Sequence, residues 1–421
     1  MPGPLRHPLF ALFMVGIALS STGTGITFLV LPLLILELTH SLGAAAALTA
    51  IEVLPYVLFG AIAGVLIDRT DKRRIMVSAL ALGLAATAAV PLTVITGVFS
   101  LPLLYALVFA LGAATLFSGL TADFTVVPAL VADDELTDAN AIYLSADRVG
   151  GIAGPALAGL AIAFVGSTGA LWISAALFVP SLVLFFLMPP LSRARSSASK
   201  PLSLGLVGRE VSEGFAYIWR SRILRALLLL VFAMNLGNLG TRVLVVYVLA
   251  EEYRLPALTI GLAVATTGVL EILGSLVAPA FARRRPLGRS MLAVTTTMSI
   301  SAILASVLHD WRLLLGAIGV RQAAAGAHYV YTYLPRQVEV PNVLRGRVNG
   351  AFRTIILCAT TASPGLLSAI QAASNSSIAF ATAGALGLVG TAITYWSPLR
   401  DYRPSAPGAV DGSVTETHQD H

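Results

Sequence analysis

Residues 60–76 read GAIAGVLIDRTDKRRIM. An apolar run enters this stretch and ends at Asp68; Arg69, Lys72, Arg73 and Arg74 follow, and a second apolar run starts at once. A turn this short between two long apolar runs belongs at a membrane face, and its basic side chains mark that face as cytoplasmic. Gly60 and Gly64, four residues apart, give the incoming helix a flat stripe on which a neighbouring backbone can approach closely.

The rest of the chain fits that setting. Of its 421 residues, 57% are hydrophobic and 11% charged, and the mean hydropathy is +0.84. A soluble domain carries about 25% charged residues. The net charge of +6 comes from basic residues in short loops between apolar runs, so it reads as a topology signal and not as a nucleic-acid surface. The single cysteine, Cys358, lies inside an apolar run, which excludes an internal disulfide and a thiol metal site. No metal or cofactor is expected. The phosphate-loop, H-E-x-x-H and G-x-S-x-G patterns are absent, so neither an ATP-driven mechanism nor an enzyme is expected. The apolar run from Pro8 to Leu36 is too long for a signal-peptide core and reads as an uncleaved first span.

Twelve spans of about 20 residues or more fit the sequence: 9–36, 43–67, 75–97, 101–125, 141–165, 168–190, 224–250, 257–282, 289–308, 312–335, 347–371 and 375–398. Arg and Lys concentrate on alternate loops, which puts both termini in the cytoplasm. The expected fold is an all-α membrane protein of two pseudo-symmetric six-helix bundles, 1–190 and 224–398. A linker at 191–223 joins them, with an amphipathic helix carrying Phe215, Ile218, Trp219 and Arg222, and a cytoplasmic tail follows at 399–421. The bundles read as repeats. Gly23 and Thr27 of span one align with Gly237 and Thr241 of span seven, and RRRPLGRS after span eight echoes the stretch after span two. Parallel repeats of this kind place a substrate site between the halves near the midplane.

Gly64-Val65-Leu66-Ile67-Asp68-Arg69-Thr70-Asp71-Lys72-Arg73 resembles the G-x-L-x-D-R-x-G-R-R loop of the major facilitator superfamily. Asp71 departs from the family's Gly, and a left-handed Asp is the expected substitute. Gly150-Gly151-Ile152-Ala153-Gly154-Pro155-Ala156-Leu157-Ala158-Gly159 looks like the superfamily's G-x-x-x-G-P-x-x-G-G motif, associated with exporters that work as antiporters. Taken as a plain pattern, Gly150, Gly154, Pro155 and Gly159 also suit a small-residue helix interface. Together with PALVADDELTDANAIY and REVSEGFAYIWRSRILRALL, these segments resemble the twelve-span efflux branch, which includes macrolide and enterobactin-type exporters. The resemblance implies a conformational latch formed by Gly64, Asp68, Arg69 and Arg73, with Arg148 or Arg347 as partners of Asp68. Two departures stand out: Thr24 occupies the place where relatives often carry an acid, and span four has no arginine.

A charge at mid-span costs roughly 2.5–3.5 kcal/mol, so each is a functional hypothesis. Glu52, Arg242, Glu271 and Arg321 lie well inside spans and are expected to face the cavity between the halves. Glu271 is expected to pair with Arg242 or Arg321 and to exchange that partner for a proton. Glu52 also suits a place near the outer mouth, in water. His328 is the third proton-coupling candidate, although a lone His on a small-residue helix also suits a packed, hydrogen-bonded role. Asn235, Asn238, Gln322 and Thr24 join the two arginines as candidate cavity residues. The expected function is proton-coupled export of bulky, partly apolar compounds by a monomer in the cell membrane. Its partners are the small-molecule substrate, protons and lipid, with no nucleic acid. A dedicated siderophore or metabolite exporter is the alternative, and an uptake symporter a further one.

Overall fold

A computed structural model of the chain describes residues 4–122, 126–131, 135–187, 204–282 and 286–403. The first part of the linker, residues 188–203, the basic run 283–285 and the tail from 404 onward lie outside that set. The described residues form helices and no strand. In order these are α1 (Pro8–Thr39), α2 (Leu42–Arg69), α3 (Lys72–Ile95), α4 (Leu101–Thr121), the short α5 (Val127–Leu130), α6 (Leu136–Leu187), α7 (Leu204–Arg220), α8 (Arg222–Leu236), α9 (Asn238–Tyr247), α10 (Ala257–Ala282), α11 (Leu287–Ala305), α12 (Trp311–Val338), α13 (Asn342–Ala373) and α14 (Ser376–Tyr395).

Ten helical stretches among the described residues are long and apolar enough to cross a bilayer. One of them, Asp138–Leu187, has 50 residues and bends at Gly166, whose φ of 72° suits a residue without a side chain. It therefore has the length of two crossings. α12 has the length, 28 residues, but carries Arg321, Gln322 and His328 at its middle. The pattern is consistent with twelve crossings, α8 and α9 together making the seventh. An even number returns the chain to the side it starts from; this side is the terminal face, and the other the far face.

The turn between α2 and α3 differs from its expected geometry. Asp71 is extended (φ −60°, ψ 118°) and not left-handed. Its carboxylate accepts from the backbone N–H groups of Arg73 at 2.9 Å and Arg74 at 3.2 Å. The residue replaces the family's flexible Gly by capping α3, which satisfies two of the donors that every helix start leaves free. Asp71→Ala is expected to lower stability by about 1 kcal/mol, read as a fall in the thermal midpoint in detergent.

In the first half, α1 packs along α6, α6 against α3, and α4 against α2 and α3. In the second, α12 packs against α10 and α11, α14 against α8 and α11, and α13 against α8 and α9. Two seams join the halves, α6 with α10 and α2 with α13. These are spans five with eight and two with eleven, the pairing that pseudo-twofold symmetry requires. α7 docks on α13 and α8. Its Ile218 is fully buried, Trp219 stays exposed, and Arg347 of α13 pairs with Glu213 at 2.6 Å. Tyr217 donates to the Glu339 carbonyl at 3.1 Å and Tyr402 to the Glu339 carboxylate at 2.8 Å. Burial, with Glu339 beside them, pushes both phenols above their ordinary range, so both remain neutral donors.

The core is asymmetric across the membrane. One buried cluster runs through the first half and continues into the second at Val243–Leu249 except Tyr247, Ile260, Ala263, Leu314, Ile318, Ala379 and Phe380. All of these lie toward the far-face ends of their helices. The terminal-face core of the second half, around Leu227, Met291, Tyr331 and Phe352, is a separate cluster. The halves are thus sealed together on the far face and parted on the terminal face.

Candidate functional site

A cavity of about 480 Å³ lies between the halves. It begins beside Met76, Tyr143 and Phe185, near the terminal face, and ends under the far-face seal at Phe28, Val246 and Ile318. Its walls are mostly apolar, with Leu80, Leu111, Phe178, Val245 and Val264 among them, so it suits a ligand with a large apolar surface. Two polar poles break the apolar lining.

The first pole belongs to the second half. Arg242 of α9 donates through Nη2 to Glu271 Oε2 of α10 at 2.5 Å. The side chains are 37% and 23% exposed, which makes the pair part of the cavity wall and not of the core. Gln322 of α12 donates to the same carboxylate oxygen at 3.4 Å. The sequence positions these groups by small residues. A side chain on Gly274 would strike Ala323, and one on Gly326 would strike the Glu271 backbone, so α10 and α12 touch backbone to backbone. Of the two arginines open to Glu271, Arg242 is the one in contact.

The second pole belongs to the first half. Ser20, Ser21, Thr24, Thr115 and Ser118 bring hydroxyls to the wall, and Asp147 and Arg148 join them. Ser21 donates to Asp147 at 2.6 Å, and Thr24 donates to the Ser20 carbonyl at 3.1 Å. The Gly-Pro motif explains this closeness. A methyl group on Gly150 would stand 2.7 Å from Ser21 Cβ, and one on Gly154 2.5 Å from Gly25 Cα. The other side of the motif faces α10: a methyl group on Gly159 would meet the Ala257 carbonyl oxygen at 2.6 Å, and Gly261 lies against Pro155 and Gly159. One small-residue helix therefore serves two close contacts, one inside its half and one between the halves.

Several expected site residues lie elsewhere. Arg321 does not line the cavity; it is 3% exposed and bonds to Asn238 at 3.1 Å, Gln322 at 3.0 Å and the Gly237 carbonyl at 3.4 Å. Asn238 is thereby taken up inside the half. Asn235 donates to the Val231 carbonyl and accepts from Thr360 of α13, also away from the cavity. Glu52 does not line the cavity, contrary to expectation; it sits where α2 packs on α4, its backbone against Gly112. His328 is 8% exposed and lies behind the wall, packed as one reading expects, but its ring nitrogens have no hydrogen-bond partner among the described residues. Arg73 donates to the Phe186 carbonyl and stacks over the Phe186 ring at 5.6 Å, fastening α3 to the end of α6. Gly64 lies in α2, the side chains of Asp68 and Arg69 lie outside what the structure describes, and Arg148 carries no hydrogen bond or ion pair with a described side chain. Asp147 and its serine were missed as cavity residues. The hydroxyl run SSTGTG in an otherwise apolar span was the signal for them.

The far-face seal has a polar clasp. His40, left-handed at φ 49°, meets Glu251 at 3.2 Å. It is a polar contact that crosses between the halves. The imidazole side chain is 75% exposed, so the contact is weak. His40→Ala is expected to speed labelling of a cysteine placed at Val246 from the far face by about two- to fivefold.

Comparison with known proteins gives likenesses of three kinds: to a family, to curated proteins and to solved structures. The sequence pattern of the Major Facilitator Superfamily matches residues 13–334. The chain is 28% identical over 372 residues to the multidrug efflux pump Tap of Mycolicibacterium fortuitum, covering 85% of this chain and 86% of that protein. It is 24% identical over 393 residues to the enterobactin exporter EntS of Shigella dysenteriae serotype 1, covering 91% and 90%. Among solved structures, a bacterial homologue of the iron transporter ferroportin in its inward-facing state superposes with a TM-score of 0.68 at 20% identity, over 92% of this chain and 98% of that one. The outward-facing state of that homologue gives 0.57 at the same identity and coverage.

Proposed function

The chain belongs to the Major Facilitator Superfamily, and on that premise we propose that it is a proton-driven exporter of bulky, partly apolar small molecules, working by alternating access. The observation that carries this reading is a titratable ion pair, Arg242–Glu271, on the wall of an otherwise apolar cavity between the halves. The basic residues of the α2–α3 turn support a cytoplasmic terminal face and a multi-pass place in the cell membrane. The cavity is then open to the cytoplasm and poised to load.

Glu271 in this state is held by Arg242 and Gln322. After the halves rock to open the far face, a proton from outside neutralises Glu271 and removes the charge that holds Arg242. The released pair keeps the far face open until the protonated protein returns to the state described here, where the proton leaves to the cytoplasm and Glu271 takes up Arg242 again. A proton thus moves inward for substrate carried outward, and coupling is the difference in Glu271's contacts between the two states. The turn from Gly64 to Arg73 is the conformational latch in this reading, with Arg148 as the candidate partner of Asp68. Likeness to the two efflux relatives supports export over uptake. A dedicated siderophore-type exporter is the second reading, favoured by the hydroxyl-rich pole at Ser20, Ser21 and Thr24, which suits a polyhydroxylated ligand.

The reading is tested in intact cells loaded with ethidium or erythromycin. Expression is expected to lower accumulation, and a protonophore to restore it. Equal accumulation with and without the protein, for both compounds and for a catecholate siderophore, counts against export.

A further inference from the structure

Arg321 is a buried charge in the membrane part of the protein and does not line the cavity. Its guanidinium is buried and meets three neutral acceptors, the Asn238 amide, the Gln322 amide and the Gly237 carbonyl, and no carboxylate among the described residues. A buried charge is kept in an apolar span only where something requires it. Two of its three contacts fall on the break in span seven. The helix stops at Leu236, Gly237 is the joint, and α9 begins at Asn238. At this joint Arg321 donates to the Gly237 carbonyl, which also accepts from the Thr241 hydroxyl.

α9 is a segment of 10 residues, jointed at both ends: by Gly237 below and by a π-helical turn at Val248–Glu252 above. Two arginine contacts hold it. Arg242, one turn above the joint, binds Glu271 and is lost when that carboxylate takes a proton. Arg321 binds the base of α9 through neutral groups, so a proton does not loosen it. The upper part of α9, from Val243 to Val246, is packed into the far-face seal.

We propose that Arg321 is a positioning residue that pins the base of α9, so that loss of the Arg242–Glu271 pair moves the far end of α9 and opens the seal. The inference rests on the reading of Glu271 as the proton site. Gln322 joins the two parts, accepting from Arg321 and donating to Glu271. With the base pinned, releasing Arg242 is converted into tilt at the far end. Without the pin, α9 shifts as a whole and the release is spent near the joint.

The test is a spin-label distance measurement on the full chain, with Cys358→Ser as background and labels at Leu38→Cys on α1 and Ala250→Cys above α9. Glu271→Gln, which imitates the protonated carboxylate, is expected to raise the ratio of long to short distances by about tenfold. The same substitution in an Arg321→Gln background is expected to leave the ratio unchanged, and Arg321→Lys to restore the response in part. A response to Glu271→Gln that is equally large with Arg321→Gln overturns the role of Arg321 and leaves Glu271 standing. No response to Glu271→Gln in the otherwise unaltered chain overturns the reading of Glu271 and the inference with it. If Arg321→Gln does not reach the membrane, Asn238→Leu removes the shorter of the two contacts at the joint; a reduced response to Glu271→Gln then supports the role of Arg321, and an undiminished one overturns it.

Discussion

Glu271→Gln, folded and inserted, loses proton-driven transport. The amide keeps the shape of the side chain and a hydrogen bond to Arg242, but it can neither hold a charge nor take a proton. The bond it weakens is charge-assisted, at 2.5 Å. Such bonds contribute about 1.5–3 kcal/mol, and the lower end applies because Arg242 is 37% exposed. That alone is about a tenfold change in the balance between the two states. Coupling suffers more, since no remaining group on this pole exchanges a proton for Arg242. In proteoliposomes with an imposed pH gradient, concentrative uptake of ethidium should fall to the leak rate. Ethidium binding measured without a gradient should stay within a few-fold of the unaltered protein. Concentrative uptake at the original rate would remove Glu271 from the coupling path.

Gly154→Leu is expected to cost folded protein outright. At this position a first side-chain carbon already lies 2.5 Å from Gly25 Cα and 2.8 Å from Ile26 N, both backbone atoms that cannot swing aside. Overpacking a core costs about 1–3 kcal/mol where side chains can give way, and here they cannot. The helices must separate, which also draws Ser21 away from Asp147. Gly151 is the control. Its added carbon meets nothing within 4 Å, so Gly151→Ala should fold as before. Fluorescence-detected size-exclusion of the two variants, before and after heating, separates a close-packing role from a merely permissive one. A monodisperse Gly154→Leu with an unchanged melting point would refute the packing argument.

The parts legible in the sequence are those that follow from contrast. Arg242 and Glu271 stand out because their spans are otherwise apolar, and the α2–α3 turn because its charges are crowded between two long runs. The parts that were not legible depend on rotation about a helix axis. A helix apolar all round carries no mark of which side faces a neighbour. Glu52 is therefore found off the cavity, and Arg321 behind Gln322 instead of beside it, although the two are adjacent in sequence. Local backbone geometry was hidden for a different reason. Asp71 suits both a left-handed turn and an extended cap, and only the donors of Arg73 and Arg74 decide between them. The Gly237 joint was visible as a residue aligned with Gly23, but not as a break. Gly23 sits inside the unbroken α1, whereas Gly237 lies against Ala383 with Arg321 beside it.

The central claim is that a proton gradient drives substrate out through this cavity. Everted membrane vesicles test it most directly, because their outer surface is then the cytoplasmic one. With the gradient established, ethidium, erythromycin and a catecholate siderophore are added in turn and the gradient is followed. The account predicts that at least one compound partly collapses it and accumulates inside the vesicles, and that Glu271→Gln suppresses both effects. A gradient untouched by all three, in vesicles shown to contain the protein, would contradict the claim.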